Sequence, residues 1–412
     1  MSRRRVLIVG AGLAGLLLAR ELAIADAEVT VFDAAAEPGG RLAGVWLAGR
    51  RLPGAVESFR SGGAALQALT TQLGLDLVRP VQEARWLIGP DQSASVLPGS
   101  MLLGIPVPTM SAEVLAIIGT RAALRAELDA VIPMLRPGKY RDLGRLVQRR
   151  LGRRMLEEVV APVARARYGL RPEALAIDEA LPGLRGELTR RGSLTSAAAS
   201  VLASRAAAGE EVGLRGGTNG LVELLAERAE RVGVEIRTNA RVESVESTAL
   251  RLDTGEQLEG EVILATPRGP ARPGRAPVVA HVAVDSAELD AAPRGRGAVV
   301  AAGEIRARSF THSSATWDWL AEALPAHRHL VRLAYDEAPE DPRATVAADL
   351  RAITGVRDAS VVDLVLRSEG PAANVWPRGV TEIEPRGDLD AAVAAALAAA
   401  AAWMPTRTEH EA

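Results

Sequence analysis

The residues best placed to do chemistry stand near the start of the chain. Gly10-Ala11-Gly12-Leu13-Ala14-Gly15 follows an apolar run, Val6–Val9, and opens a stretch rich in Leu and Ala. In that spacing the glycines do separate jobs: a tight turn, close approach of backbone to a diphosphate, and close packing of a helix on a strand. The helix start also offers unpaired N–H groups and the positive end of its dipole to phosphate oxygens. A second apolar run, Glu28–Phe32, ends at Asp33, next to Ala34, where a carboxylate can accept hydrogen bonds from a ribose. A plain strand-end acid is the competing reading of Asp33. The glycine pattern alone is weak evidence, but strand, turn, helix, strand and acid in this order point to a bound dinucleotide.

Positioning those residues takes a sheet and its covering helices. Val45–Phe59 reads as a short hairpin, and Ser61–Leu73 as a helix stopped by Gly74. Arg85–Ile88 and Ser95–Leu97 read as strands around the Gly89-Pro90-Asp91 turn. From Ser111 to about Ala207 helical periodicity dominates, punctuated at Pro133, Pro137-Gly138, Pro172 and Pro182-Gly183, which suggests a helical insert covering a substrate. Strand character then returns. Leu221–Val232 reads as a helix, Glu235–Thr238 as a strand, Arg241–Ser247 with Leu250–Asp253 as a hairpin, and Glu261–Ala265 as a strand. Strands alternate with helices from Val278 to Leu366, and Ala391–Met404 reads as a packed terminal helix. Trp317 and Trp319, two apart, read as core residues on a strand; His327 and His329 read as an exposed pair rather than as metal ligands.

Composition narrows the function classes. The chain has 412 residues, enough for two intertwined domains, and 49 Lys+Arg against 51 Asp+Glu, so no overall field draws it to nucleic acid. Lys139 is the only lysine, a bias read as compositional rather than functional. There is no cysteine, which excludes disulfides and thiolate chemistry and fits a cytoplasmic setting. The five histidines are scattered without metal-ligand spacing, so no metal is expected. Ser2-Arg3-Arg4-Arg5 leads into a sheet strand, not a secretory signal, and no apolar run reaches the length of a membrane span. The arginines between Arg145 and Arg167 form a basic helical face. It reads either as a solvated face balanced by Glu157 and Glu158, or as a peripheral contact with anionic lipid at the inner face of the membrane.

The segment after Asp33, Glu37-Pro38-Gly39-Gly40-Arg41-Leu42, resembles the G-G-R-L segment of FAD enzymes in the flavin amine oxidase superfamily. Further pieces, in order, resemble the protoporphyrinogen/coproporphyrinogen oxidases of bacterial haem synthesis. Leu97-Pro98-Gly99-Ser100-Met101-Leu102-Leu103-Gly104-Ile105-Pro106 is similar to that family's L-P-x-G-x-x-x-G-I-P turn. Arg149–Glu157 with Ala161-Pro162-Val163 and Tyr168 resembles its R-R-L-G helix, and Arg215–Leu221 its G-G-x-x-x-L turn. Arg241–Val245 is similar to its V-x-x-I/V strand, and Thr311–Trp317 to its T-x-S-S-x-K-W strand.

The resemblance implies an α/β fold: an FAD-binding Rossmann-type domain of the glutathione reductase-like and amine oxidase-like kind, a mixed-sheet substrate domain, and a helical insert. It divides the chain into 1–75, 208–268 and 375–405 for FAD, 76–110 and 269–374 for the substrate sheet, and 111–207 for the insert. It places FAD on Gly10, Ala11, Gly12, Leu13, Ala14, Gly15, Asp33, Ala34, Gly40, Arg41, Leu42 and Val242, with the arginine along the cofactor. Arg85 matches an arginine that faces the substrate's carboxylate; a surface arginine on an edge strand is the competing reading. Glu57 matches an acidic position, or is a solvated acid. The implied activity is O2-dependent oxidation of coproporphyrinogen III or protoporphyrinogen IX, with release of H2O2. The chemistry resides on the flavin, so no dedicated catalytic side chain is expected.

The chain also departs from that pattern. Arg367-Ser368-Glu369-Gly370-Pro371 stands where the family has an R-W segment, and Thr316 stands where it has lysine. Alternating alanine and arginine from Ala161 to Arg167 replaces a glycine-containing turn. After Val380-Thr381-Glu382-Ile383-Glu384-Pro385-Arg386-Gly387-Asp388 the chain goes straight to the alanine-rich helix, and the family's closing glycine-rich turn is expected to be missing. Two alternatives follow: a non-catalytic or accessory descendant with weakened FAD binding, or another oxidoreductase of the flavin amine oxidase superfamily.

Overall fold

The computed structural model describes residues 3–54, 56–81, 84–132, 140–266, 277–368, 376–377, 379–383 and 388–403. Pro133, Pro137-Gly138, Lys139, Glu369-Gly370-Pro371, Glu384–Gly387 and Met404 lie outside the described residues.

Two sheets organise the molecule. The first is parallel, with strands in the order Glu235–Arg237, Glu28–Phe32 (β2), Arg5–Val9 (β1), Glu261–Leu264 and Thr381–Glu382. Its central strand β1 is buried from Val6 on, as a near-continuous apolar run requires when both faces are covered. The helix Leu13–Ile24 (α1) packs on one face together with Asn219–Arg231, Ala64–Leu73 and Leu389–Trp403. The last helix contributes Leu389, Ala392, Val393, Ala396 and Ala400 to this core. Small side chains let it approach α1 closely, and Asp390 Oδ1 accepts the Leu66 N–H at 2.8 Å, at the start of Ala64–Leu73. A strand at Thr381–Glu382 pairs with Ile263–Leu264 as the last strand of this sheet, and the expected terminal helix follows it; the stretch where the family's glycine-rich turn would stand, residues 384–387, lies outside the described residues.

The second sheet has seven strands, in the order Ser360–Ser368, Val278–Asp285, Arg328–Tyr335, Ser309–His312, Gly297–Val300, Arg85–Ile88, Ala94–Val96. One face packs Ile88, Val282, Ala298, Phe310, Val331 and Leu333 against the helix Pro342–Thr354. The other face meets the helical layer between Ala112 and Ala207, through Leu87 and Val299, and the hairpin Val45–Leu47/Arg50–Leu52, through Ala283 and Leu330. The helical insert is held inside by Arg150, which pairs with Asp129; Asp129 in turn accepts from Ser193 and Thr195 at the start of Leu194–Ala207.

Some local expectations differ. The first hairpin ends at Leu52, because Phe59–Arg60 pairs instead with Glu211–Val212. Trp317 is not on a strand: the chain leaves Ser309–His312 into a helical turn, Ser313–Thr316, and Trp317 stands between it and Asp318–Glu322. It is buried, as expected, but its indole N–H has a polar partner. His327 and His329 are not an exposed pair. His327, at φ +59°, precedes its strand, while His329 is buried; the two bind opposite oxygens of Asp290 at 2.7 and 3.0 Å. In the helical insert, Arg153 and Arg154 pair with Glu157 and Glu158 one turn on, as a solvated face would.

Candidate cofactor and substrate site

The chain leaves β1 through Gly10 at φ +110°, where a Cβ would lie 2.7 Å from the Thr266 methyl. Gly15 faces back on it, and a Cβ there would stand 1.9 Å from the Gly10 carbonyl oxygen. Gly12 differs from both. It caps α1 in extended backbone, φ −81° and ψ −176°, and a Cβ built on it meets nothing within 4 Å. Packing within the protein does not require glycine there; a group approaching the backbone from outside does. The first turn of α1 contains no acidic residue of its own, and the carboxylate beside it, Asp33, takes the Ala11 N–H rather than those of the helix's first turn. Ala11, Leu13 and Ala14 are buried around this turn.

Gly39 and Gly40 close over the same turn. The Gly39 N–H donates to the Ala11 carbonyl at 2.7 Å, and Gly39 bridges Gly12. Arg41 is exposed and has no ion-pair partner among the described residues, leaving its guanidinium for an anion. Leu42 is buried in the core, so its side chain serves packing. Asp33 accepts the Ala11 N–H on Oδ2 and the Ala35 N–H on Oδ1, each at 2.8 Å. Its carboxylate therefore ties the glycine turn to β2, and a ribose would share the remaining lone pairs. Ala34 is exposed beside it. The Ala240 N–H donates to the Asp33 carbonyl, which brings the half-buried Val242 alongside. These residues form one contiguous cradle with glycine, free amides and a free cation, and that donor set fits a dinucleotide diphosphate.

A second set of contacts joins the cradle to the seven-stranded sheet. Gly54 lies where a Cβ would be 2.4 Å from the Ala43 carbonyl oxygen, and the Thr218 hydroxyl donates to the Val56 carbonyl. Glu57 then enters the sheet's face. It is a buried acid, not a solvated one: it accepts from Ser313 Oγ at 2.6 Å and Trp317 Nε1 at 3.2 Å, and it pairs with Arg332 at 3.1 Å. A cavity of about 20 Å³, room for one water, lies between Glu57, His281, Ser313 and Arg332.

Register carries the site further. His281 stands opposite Arg332, Arg332 opposite Thr311, Thr311 opposite Gly297, and Gly297 opposite Arg85. Side chains in one cross-strand row share a face. This row thus lies on the face toward the insert, with Arg85 and Arg332 about 14 Å apart by three strand spacings. At the Arg85 end further arginines gather. Arg296 pairs with Glu211 at 3.0 Å, Glu211 also accepts from Ser58 Oγ at 2.8 Å, and Arg60 lies opposite Glu211 in the ladder. Arg167 and Arg205 approach from the helical insert.

Electrostatics show how crowded this corner is. Arg85 is exposed to solvent, with protein crowded around its guanidinium. That crowding, with repulsion from Arg296 and then Arg167, lowers its pKa, while Glu211 opposes the shift. Burial also lowers the Arg205 pKa, with repulsion from Arg167 and Arg60 adding to it. Burial works to raise the Glu211 carboxyl, but Arg296, the Ser58 hydroxyl and Arg85 outweigh it and hold the group below the usual carboxylate range. Arg85 and Arg296 thus act on one carboxylate, with the exposed Arg60, Arg167 and Arg205 around them, an arrangement an anionic ligand would relieve. Composition concealed most of this set. In a chain with so many arginines, Arg167, Arg205 and Arg296 carried no signal until the fold brought them together.

Comparison with known proteins bears on the cradle first. The family described as flavin containing amine oxidoreductase matches residues 13–289. The chain belongs to that family. Within it, coproporphyrinogen III oxidase from Mycobacterium leprae (strain TN) is 27% identical over 96% of this chain and 92% of that protein. Coproporphyrinogen III oxidase from Staphylococcus aureus (strain NCTC 8325 / PS 47) is 24% identical over 64% of this chain and 60% of its own length. Among solved structures, one assigned as a protoporphyrinogen oxidase from Exiguobacterium sp. 255-15 superposes with a TM-score of 0.73 at 19% identity, covering 98% of this chain and 99% of that one. Putrescine oxidase bound to putrescine superposes at 0.63 with 16% identity, covering 97% and 99%. At such identities these superpositions establish the flavin amine oxidase-like fold alone. Among the described residues no helix is long and apolar enough to cross a membrane.

Proposed function

We propose that this flavin amine oxidoreductase is an FAD-dependent oxidase of porphyrinogens, acting on coproporphyrinogen III or protoporphyrinogen IX with O2 as electron acceptor. One observation carries the choice of substrate class: the arginine corner around Arg85, at one end of a polar row leading to the Glu57–Arg332 pair. A reduced tetrapyrrole combines a broad apolar ring with peripheral carboxylates. Guanidinium groups at one end of the sheet face beneath the insert match the carboxylates of that combination. An amine substrate would instead need a carboxylate or aromatic surround, and Glu211, the acid at this corner, is already held by Arg296 and Ser58.

When bound, the flavin supplies two-electron oxidation, each turnover passing its electrons to one O2 to give one H2O2. The protein's share is placement. Gly10, Gly12 and Gly15 shape the diphosphate turn, Leu13 and Ala14 supply its amides, Ala11 ties the turn to Asp33, and Gly40 and Arg41 close over it. Asp33 with Ala34 stands at the ribose, and the backbone at Val242 stands at the adenine end. Arg85, with Arg296 beside it, anchors a substrate carboxylate. Glu57, Ser313 and Trp317 lock the segment next to the cradle onto the sheet, fixing the angle between cofactor and substrate.

A second reading, a descendant that binds FAD weakly, is favoured by one feature: both Asp33 oxygens already hold backbone amides. The test is the visible absorption of the purified protein with FAD quantified after denaturation, followed by aerobic conversion of each porphyrinogen read by porphyrin fluorescence. Near-stoichiometric flavin with conversion supports the first reading. A colourless protein that takes up no added FAD replaces it with the second.

A further inference from the structure

Away from that site, at one end of the seven-stranded sheet, lies a second cavity of about 280 Å³. Strand register places it. His329 stands opposite Val284 and His312 opposite Val331, and both valines belong to the core under the helix Pro342–Thr354. Side chains alternate between faces along a strand, so these two histidines point away from the face that carries Thr311 and Arg332. Leu289, Ala292, Ala315 and Leu324 give the cavity apolar walls, and His312, Ser314 and His329 are its buried polar groups.

The hydrogen-bond partners fix where the protons sit. His327 donates from Nδ1 to Asp290 Oδ2 at 2.7 Å, a bond that holds the Asp290 carboxyl below its usual range, as a carboxylate. His329 Nε2 faces two acceptors, Asp290 Oδ1 at 3.0 Å and the Ser286 carbonyl at 3.1 Å, so it carries that ring's proton. His329 Nδ1 is then an acceptor, and His312 Nε2 donates to it at 3.2 Å. Burial, with repulsion from His329, lowers the His312 pKa to about 3, so the ring is neutral near neutral pH and Nδ1 keeps its lone pair. That nitrogen has no partner among the described residues, on a side chain only 1% exposed. Ser314 supplies the opposite group. Its oxygen accepts the Leu330 N–H at 3.2 Å, and its own proton has no acceptor among the described residues. A buried lone pair and a buried O–H, both left over, are costly unless something enters to match them.

We propose that this cavity binds a small, largely apolar hydroxyl compound, a phenol or a cyclic alcohol, whose O–H donates to His312 Nδ1 and whose oxygen accepts from Ser314. Size and charge select that class. A cavity of about 150 Å³ is enough to take up benzene, so this one holds a single ring with room for a substituent. Arg328, at the rim, is held by both oxygens of Asp285 and is not offered to an anion. An ammonium could meet the lone pair but would leave the Ser314 proton unmatched. Among the described residues no three His, Asp or Glu side chains are placed to hold a metal ion, which leaves the imidazoles to hydrogen bonding. The assignment is independent of the porphyrinogen reading. Ser314 and Ala315 face the cavity from the turn whose Ser313 holds Glu57, so the ligand packs behind that turn and stays out of the cofactor cradle.

The test is fluorine NMR titration of 4-fluorophenol with the purified full chain, alongside fluorobenzene, which keeps the ring and lacks the hydroxyl. 4-Fluorophenol should bind saturably with a Kd of about 1 mM or tighter, and fluorobenzene at least about tenfold more weakly. His312→Phe keeps a ring, removes the lone pair and should cost about tenfold. Ala321→Trp, at an exposed position on the rim, should close the mouth and cost as much, while melting temperature and flavin content stay at wild-type values; it carries the test if His312→Phe does not fold. Displacement of the probe by cyclohexanol supports a site for alcohols in general, and its failure supports one for phenols. No saturable 4-fluorophenol binding, equal binding of the two probes, or wild-type affinity in either variant overturns the proposal. So does binding that Arg85→Gln abolishes and Ala321→Trp leaves intact, which would assign the probe to the porphyrinogen site. Probe binding without porphyrinogen turnover would leave this cavity standing and sink only the catalytic reading.

Discussion

Two glycines of the cofactor turn, Gly12 and Gly15, should respond to alanine in opposite ways, because each is glycine for a different reason. At Gly12 the backbone is extended and a Cβ meets nothing within 4 Å. Gly12→Ala therefore introduces no clash in the free protein, and the lost flexibility of the unfolded chain should stabilise it by about 0.4–1 kcal/mol. The new methyl occupies the space a pyrophosphate would take. A misfit of one methyl group costs about 1–3 kcal/mol, roughly a fivefold to 150-fold loss in FAD affinity. At Gly15 the added Cβ would stand 1.9 Å from the Gly10 carbonyl oxygen, a backbone atom that cannot swing away. Separating α1 from its strand should cost about 3 kcal/mol or more, outweighing the roughly 1 kcal/mol that alanine gains in a helix.

Two readouts separate the cases: thermal melting without added flavin, and melting with FAD at a hundred times the wild-type Kd. Ligand at that excess stabilises a binding protein by about 2.7 kcal/mol. Wild type should show that shift. Gly12→Ala should melt at or above wild type in the absence of FAD and lose between about a third and nine-tenths of the shift, and Gly15→Ala should melt far lower in both. A Gly12→Ala protein with the full FAD shift would refute the placement of the diphosphate at this turn. One that unfolds would refute the packing argument.

At the other end of the site, Arg85→Gln should raise the porphyrinogen KM at least about tenfold, the weight of one charge-assisted hydrogen bond, with kcat within about twofold; an unchanged KM would make Arg85 a plain surface residue. Glu57→Ala leaves the Arg332 guanidinium buried without its partner and should cost about 3–5 kcal/mol in urea unfolding, so a loss under about 1 kcal/mol would contradict the buried pair. Burial, helped by His329, pushes the His312 pKa down from 6.5 to about 3. The unfolded chain gains that proton below pH 6.5 while the folded chain refuses it, so the stability is present above that pH and lost as pH falls toward 3. The slope is about 1.4 kcal/mol per unit. His312→Gln should flatten the stability–pH curve over that window, and an unaltered slope would show that His312 titrates freely.

The cofactor turn was legible in the sequence because its logic is local. Gly10 to Asp33 is one strand–helix–strand unit in which each glycine answers to a neighbour a few residues away. The substrate corner is the opposite case. Arg60, Arg85, Arg167, Arg205, Glu211 and Arg296 meet only because strand register sets Arg85 beside Gly297, and the insert folds Arg167 onto the same wall. A resemblance could single out Arg85, but no spacing rule could recruit the rest. Trp317 misled because Thr311–Trp317 reads as a continuous strand, whereas the chain turns helical at Ser313 to bring the Ser313 hydroxyl and the Trp317 indole onto Glu57. The closing strand was missed because Thr381–Glu382 is too short to show a period.

The seat of α1 has a consequence for the order in which this protein can be made. Its strand β1 is flanked by β2, synthesised at once, and by Glu261–Leu264, which arrives much later. The helix itself is covered by Asn219–Arg231 and finally by Leu389–Trp403. The glycine turn thus precedes its roof by more than 350 residues. Until those residues have been made, a ribosome-bound chain carries the turn with one flank of the sheet and most of the helical cover absent. Flavin capture should therefore wait for Leu389–Trp403 to emerge. Until then Leu16, Leu17, Leu18 and Leu22, wholly buried at the end, form an apolar surface that chaperones can hold.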